Sequence, residues 1–255
     1  MKKLKYVFTA GLGVLLMTGC GSSASEDFEE INGGFKKKRI KEIVLKEKVA
    51  SQEEVFVGFS YDSDKKLSKI ITQFDNQNSI INYNNANGVI QVNQQQFVES
   101  FNTEELFKAP YKVYETGEVL EYDSNKNPSK ILFRNGRYDS VTESYVIENF
   151  IAEMFYDTKP NLYYGTFESA GLIDVLDGVK LDFGVTAQAS EIVKARALFP
   201  VNNLIKVVYK NADEEVVGSL EINYTYDADG YPVKGVGEAK GDGEIVSAII
   251  EYSYQ

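Results

Sequence analysis

"EINYTYDADGYPVKG", Glu221–Gly235, is the stretch on which the fold of this chain turns. Ile222, Tyr224 and Tyr226 alternate with Glu221, Asn223 and Thr225. That period of two buries one face of a strand and wets the other. Asp227-Ala228-Asp229-Gly230 interrupts it. An aspartate can accept hydrogen bonds from the backbone ahead of it, and a glycine takes positive φ without strain. A hairpin tip between two strands is the expectation.

The same phrase stands twice more, as "YDSDKKLSK" (Tyr61–Lys69) and "YDSNKNPSK" (Tyr122–Lys130), beside "YDADGYPVK" (Tyr226–Lys234). The expected tip residues are Tyr61, Asp62 and Asp64; Tyr122, Asp123 and Asn125; and Tyr226, Asp227, Asp229 and Gly230. Looser echoes begin at Tyr83 and Tyr209. The copies are neither tandem nor evenly spaced, which speaks against a solenoid or a propeller. The C-terminus alternates in the same way, with Ile250, Tyr252 and Tyr254 against Glu251, Ser253 and Gln255. The expected fold is mainly β, an antiparallel meander of hairpins with a few short covering helices. Capping and closing residues place those helices over 97–108, 166–176 (closed by Gly178) and 188–198. "TESYVIENFIAEMF", Thr142–Phe155, fits either a strand or a helix by spacing.

The paired acids at the tips also suit a hard cation, which takes clustered oxygens. A calcium loop needs further ligands, however, and the position that would supply a bidentate acid in the third copy, Glu238, follows Pro232 in a strand pattern. Turn chemistry is the simpler reading, and no metal or cofactor is expected.

The phrase resembles the tyrosine-aspartate repeat of bacterial surface and toxin-shell proteins. It is more similar to a YD-repeat-like domain family of unknown function found in Bacteroidota surface lipoproteins. "FPVNNLIKVVYKNADEEVVGSLEINYTYDADGYPVKG" (Phe199–Gly235) carries that resemblance, supported by "YDTKPNLYYG" (Tyr156–Gly165). The resemblance implies a β-rich fold at a cell surface and brings no catalytic activity with it.

The N-terminus supplies an address. Lys2, Lys3 and Lys5 precede a mostly apolar run from Tyr6 to Met17, too short to span a bilayer as a mature helix. It ends in Met17-Thr18-Gly19-Cys20, which holds the chain's one cysteine. These residues resemble the lipobox of bacterial lipoproteins, with Met17 where leucine is commoner. The resemblance implies cleavage between Gly19 and Cys20, a diacylglycerol thioether on Cys20 and a palmitate-type acyl chain on the new amino terminus. An export signal cleaved beyond Cys20 is the other reading. A disulfide within the chain is excluded for want of a second cysteine.

Cleavage before Cys20 removes three lysines and shifts the formal charge from −11 to −14. An acidic body is repelled by anionic lipid. "GSSASEDFEEINGG", Gly21–Gly34, is rich in small and acidic residues and reads as a flexible tether. The expected organisation is a signal peptide over 1–19, a flexible acidic tether over 20–34 and a β-rich body over 35–255, divisible into halves near 160. Gly21 in place of aspartate points to the outer membrane. Lys36–Arg39, "KKKR", suits a solvated lead into a strand, or contact with lipid headgroups.

Composition narrows the chemistry. With 255 residues, 43% of them hydrophobic, the chain can build a real core. A net charge of −11 leaves no basic face for nucleic acid. There is no His, which removes the usual general base and the usual metal ligand. There is no Trp, and 17 Tyr and 15 Phe stand in its place. The expected function is a lipid-anchored, non-catalytic binding or scaffolding module of the cell envelope, held to the membrane by its anchor and meeting an extracellular glycan or protein. A carboxylate-dependent glycoside hydrolase is the alternative, since two acids run that chemistry without His.

Overall fold

The computed structural model describes residues 23–47, 54–74, 77–84, 89–94, 97–102, 118–139, 141–174, 180–182, 192–194, 199–241 and 243–255. The segment expected to be a signal peptide, with Gly19 and Cys20, lies outside the described residues.

Alternation of apolar and polar residues makes strands, and the strands make a sheet. The chain opens with α1 (Ala24–Asn32) and continues through β1 (Ile40–Glu47), β2 (Glu54–Tyr61), β3 (Leu67–Phe74), β4 (Gln77–Asn84), β5 (Val89–Gln94) and β6 (Phe97–Asn102). Next come β7 (Glu118–Tyr122), β8 (Pro128–Asp139), β9 (Ser144–Pro160), α2 (Tyr164–Ser169) and the small pair β10 (Lys180–Asp182) and β11 (Ile192–Lys194). The chain closes with β12 (Asn202–Lys210), β13 (Val216–Tyr226), β14 (Pro232–Gly241) and β15 (Glu244–Tyr254). Thirteen strands form one sheet in the order β6-β5-β4-β3-β2-β1-β15-β14-β13-β12-β9-β8-β7. β1 pairs antiparallel with β2 on one side and with β15 on the other, so the last strand of the chain joins the first. β9 pairs with β12, and the sheet runs without a break across residue 160.

The expected mainly-β antiparallel meander is what forms. The covering helices differ. Thr142–Phe155 falls on strand β8's partner β9, because this strand carries apolar residues on both faces: Phe150 opposes Phe133 and Ile151 opposes Leu132. A strand of that kind loses its period and mimics a helix. Phe97–Asn102 is strand rather than helix, and 103–108 lie outside the described residues. Of the helix expected over 188–198, Ile192–Lys194 is strand and the rest lies outside. α2 begins at Tyr164, ahead of its expected start, and Leu172–Asp174 add a helical turn; Gly178 lies outside. No helix among the described residues is long and apolar enough to cross a membrane.

The largest correction concerns the tether. Ala24–Asn32 is a helix with a complete capping box: Ser23 Oγ accepts from the Glu26 amide at 3.1 Å, and Glu26 accepts from the Ser23 amide at 2.7 Å. It is folded onto the body. Phe28 is buried and stacks on the buried Tyr164 ring at 3.6 Å between centroids. Acidic composition outside hid one aromatic inside.

Antiparallel pairing gathers the sheet's turns at two ends. One end collects the close of β2, β7, β9, β13 and β15 with the start of β1, β3, β8, β12 and β14. Both helices sit there, and it is called the capped end below. The far end carries the β12–β13 turn and the start of β15. Segment 160–174 leaves β9 and crosses the capped end. Leu162 packs with Ile40 and Tyr252, and Ala170 with Leu67 and Tyr83. α2 meets the lead into β1 so closely that a Cβ on Gly165 would stand 2.2 Å from the Lys38 carbonyl oxygen. Thr166 Oγ1 accepts the Ile40 amide at 2.9 Å.

Candidate functional site

The three repeated tips share one geometry, and each is a turn of the kind the phrase predicts. Asp62 Oδ1 accepts the amides of Asp64 and Lys66 at 3.0 and 2.8 Å. Asp123 Oδ1 accepts those of Asn125 and Asn127 at 2.8 and 2.9 Å. Asp227 Oδ1 accepts those of Asp229 and Tyr231, both at 2.9 Å. In each turn one residue takes positive φ: Lys65 at 62°, Lys126 at 65° and Gly230 at 81°. This is the three-residue hairpin with a bulge at the left-handed position. The echo at Tyr209 builds the same loop around Asn211, whose Oδ1 accepts the amides of Asp213 and Glu215 while Glu214 takes φ 62°. Part of the echo at Tyr83 lies outside the described residues.

All three aspartate tips stand at the capped end. Each tip aspartate accepts two backbone amides through Oδ1, the bonding that turn chemistry predicts. No group of three or more His, Cys, Asp or Glu gathers among the described residues. The tips serve as fasteners. Lys38 Nζ bridges Asp227 and Asp229 at 2.6 Å each, and its side chain is 16% exposed. Burial works against charging Lys38, yet the bonds from Asp227 and Asp229 outweigh it and raise its pKa above the ordinary lysine value. Burial likewise opposes ionising Asp227, and the Lys38 and Tyr231 bonds overcome it, so its pKa lies below the usual carboxylate value. Lys126, from the second tip, reaches α1 and bonds Asp27 and Glu30 at 2.7 Å each. Lys37 spans Glu29 and Glu168, at 2.6 and 2.8 Å. Two lysines of "KKKR" are therefore bolts between α1, α2 and the third tip, where a solvated run was expected.

Between these bolts lies a buried asparagine network absent from the sequence expectations. Asn127 and Asn202 are 0% exposed. Asn127 Oδ1 accepts the amides of Val201 and Asn202 at 2.8 and 3.1 Å, and its Nδ2 donates to Asn202 Oδ1 at 2.9 Å. Asn32 of α1 donates to the Val201 carbonyl at 2.9 Å. Asn203 donates to Asp157, and Asp157 also accepts the Tyr226 hydroxyl. Asparagine suits turns, and "PVNNL" gave no cue that its pair would be interior.

The tyrosines are used in the same way. Tyr156 and Tyr254 donate to the carbonyls of Pro128 and Pro232, at 2.8 and 2.6 Å. Tyr61 donates to the Ile40 carbonyl at 2.7 Å. Burial, with the bond to Asp157 second, pushes the Tyr226 phenol well above its ordinary pKa. Tyr226 and Tyr61 thus hold the capped end, while Tyr122 of the second tip is 49% exposed.

The remaining candidate is the sheet's apolar face. Register puts Ile43, Val57, Ile250, Tyr224, Ile222 and Leu220 on one face. All six are partly exposed. β14 crosses the middle of this face with glycines. A Cβ on Gly235 would meet Ile222 and Tyr224 at 3.2 Å, whereas one on Gly237 would meet nothing closer than 3.9 Å. Gly237, buried at the backbone and opposite Ala248 on β15, leaves the face low between the aliphatics of β13 and β15, in the form of a shallow trough. The opposite face mixes charge with apolar residues: Lys46 lies beside Glu251 at 3.1 Å and Lys210 beside Glu153 at 2.6 Å, among partly exposed Val44, Phe56, Val236 and Ile249. Such part-exposed pairs contribute about 0–1 kcal/mol each.

No protein-family profile matches the chain, and no curated protein matches it. Among solved structures, a porin-like protein from Bacteroides uniformis aligns with 85% of this chain and 98% of its own, at TM-score 0.39 and 8% identity. A putative outer membrane lipoprotein-sorting protein domain from Vibrio parahaemolyticus covers 91% of each chain, at TM-score 0.31 and 9% identity. A LolA superfamily protein from Nitrosomonas europaea covers 91% of this chain and 92% of its own, at TM-score 0.30 and 10% identity. Scores of this size assign neither a family nor an activity.

Proposed function

We propose that this protein is a lipid-anchored, non-catalytic binding module of the bacterial cell envelope, and that its ligand is an apolar chain lying along β14 on the apolar face. The observation that carries the reading is the trough over Gly237. Partly exposed Ile222, Leu220 and Ile250 flank a stretch of β14 that Gly237 leaves without a side chain, whereas the other side of the sheet has ion pairs among its apolar residues. A burial of apolar area of this kind is worth about 25 cal/mol per Å². Next to this trough the rings are taken up, since Tyr224, Tyr252 and Tyr254 are engaged with one another and with the capped end. The anchor reading rests on the lipobox resemblance at Met17–Cys20.

A polarity-sensitive naphthylamine dye tests the trough. Its emission should rise on adding the wild-type protein, and Gly237→Leu should abolish the rise while leaving the thermal transition in place. A rise unchanged by Gly237→Leu, or none with wild type, removes the apolar-ligand reading. Intact mass of the processed protein tests the anchor: acylated Cys20 is expected, and a bare thiol contradicts it.

A further inference from the structure

We infer that the capped end is a membrane-docking surface: in the anchored protein it lies in the headgroup layer, and the far end points away from the bilayer. This rests on the lipid anchor at Cys20.

The reasoning starts from chain length. Cys20 precedes Ser23, the cap of α1, by three residues. A chain spans at most about 3.6 Å per residue, so the lipid-bearing residue stands within about 11 Å of Ser23 by any path. α1 offers no slack beyond that point. Phe28 is stacked on Tyr164, Asn32 is bonded to Val201, and Asp27 and Glu30 are bonded to Lys126. The headgroup layer of one leaflet is about 5–8 Å thick. Acyl chains seated in the hydrocarbon therefore bring the capped end against the headgroups.

The surface presented there suits that contact. The acids that would resist it are offset by half, since Lys37, Lys38 and Lys126 each hold two carboxylates. Phe35 and Tyr163 are 36% and 37% exposed at this end. The ammonium of Lys159 lies 5.9 Å from the centre of the Phe35 ring. Aromatic rings beside lysines are the residues that settle at a membrane–water interface. The far end is different. There Val141, Val216 and Ile245 are exposed next to Glu143, Glu214, Glu215 and Glu244. β13 has 11 residues, which sets the two ends about 35 Å apart. The trough over Gly237 then opens beside the bilayer rather than at the end of a loose leash.

The chain has no Trp, so one introduced indole reports without background. The full-length protein carrying Phe35→Trp, and separately Val216→Trp, is purified from membranes and placed in phosphatidylethanolamine–phosphatidylglycerol vesicles with brominated acyl chains. Phe35→Trp should lose emission relative to unbrominated vesicles, and Val216→Trp should not. Tyr163→Trp repeats the first arm in case a larger ring at 35 disturbs Gly230. About twenty Gly/Ser residues inserted after Cys20 give a root-mean-square slack of about 25 Å, and should restore the emission while the protein still floats with the vesicles. A floating protein in which neither Phe35→Trp nor Tyr163→Trp is quenched, or in which Val216→Trp is, overturns the docking surface and leaves the anchor standing. A protein that fails to float overturns the anchor, and the docking surface with it.

Discussion

Two turns of one geometry stand at opposite ends of the sheet, and they differ in everything except their local hydrogen bonds. Asp227 and Asn211 each accept two backbone amides ahead of them, and each loop is completed by a residue at positive φ. At the capped end the residue after that position is Tyr231, 0% exposed, followed by the buried Pro232. At the far end Glu215 and Val216 take those places, and Val216 is 62% exposed. Lys38 pins Asp227, whereas Asn211 bonds its own neighbour Glu215 through Nδ2 at 3.0 Å. The turn is written locally. Its worth to the fold is set by what is packed on it.

The largest effect should come from Asn127→Ala. It strips partners from the Val201 and Asn202 amides in a fully buried place, and a stranded buried donor costs about 1–3 kcal/mol. The two together predict a loss of about 3 kcal/mol or more in chemical denaturation. A loss under about 1 kcal/mol would mean that water replaces the side chain and the network is not a core.

Asp227→Ala should cost less, about 2 kcal/mol, since it gives up two bonds to amides and the partner of a largely buried lysine. Its pH signature is specific. The folded carboxyl is more acidic than the unfolded one, so its contribution is whole above the unfolded pKa of about 3.9 and fades as pH falls through the lower folded value. Asp227→Asn should therefore be destabilised at neutral pH and lose less than wild type on acidification below about pH 4. Parallel acid limbs for the two proteins would show that Lys38 gains nothing from this carboxylate.

The smallest effect belongs to Asn211→Ala, about 0.5–1 kcal/mol, because solvent can satisfy the freed amides. A cost equal to that of Asp227→Ala would erase the contrast between the ends.

The sequence carried the strands and the tips well, for a physical reason: Ile222, Tyr224 and Tyr226 and the Asp-x-Asp-Gly that follows are short-range signals. β9 was ambiguous because apolar residues on both faces, as at Phe150 and Ile151, remove the alternation that identifies a strand. α1 was missed although Ser23-x-x-Glu26 is a legible capping box. Its composition is that of a solvated segment, and what makes it structural is Tyr164, a partner far along the chain. The asparagine network fails for the same reason. Asn127, Asn202 and Asn32 are buried only because each supplies what the others lack. The apolar trough was invisible because its floor is the missing side chain of Gly237, whose meaning depends on Ile222 and Ala248 in neighbouring strands.

Hydrogen exchange read by mass spectrometry on the full-length protein goes most directly to the claim that the helix after Ser23 is part of the folded body. Amides of 28–32 should exchange as slowly as those of the Asp227–Tyr231 turn, and both more slowly than those of the Asn211–Glu215 turn. Amides of 28–32 that exchange at the rate of an unstructured chain, while β13 and β14 remain protected, would contradict it.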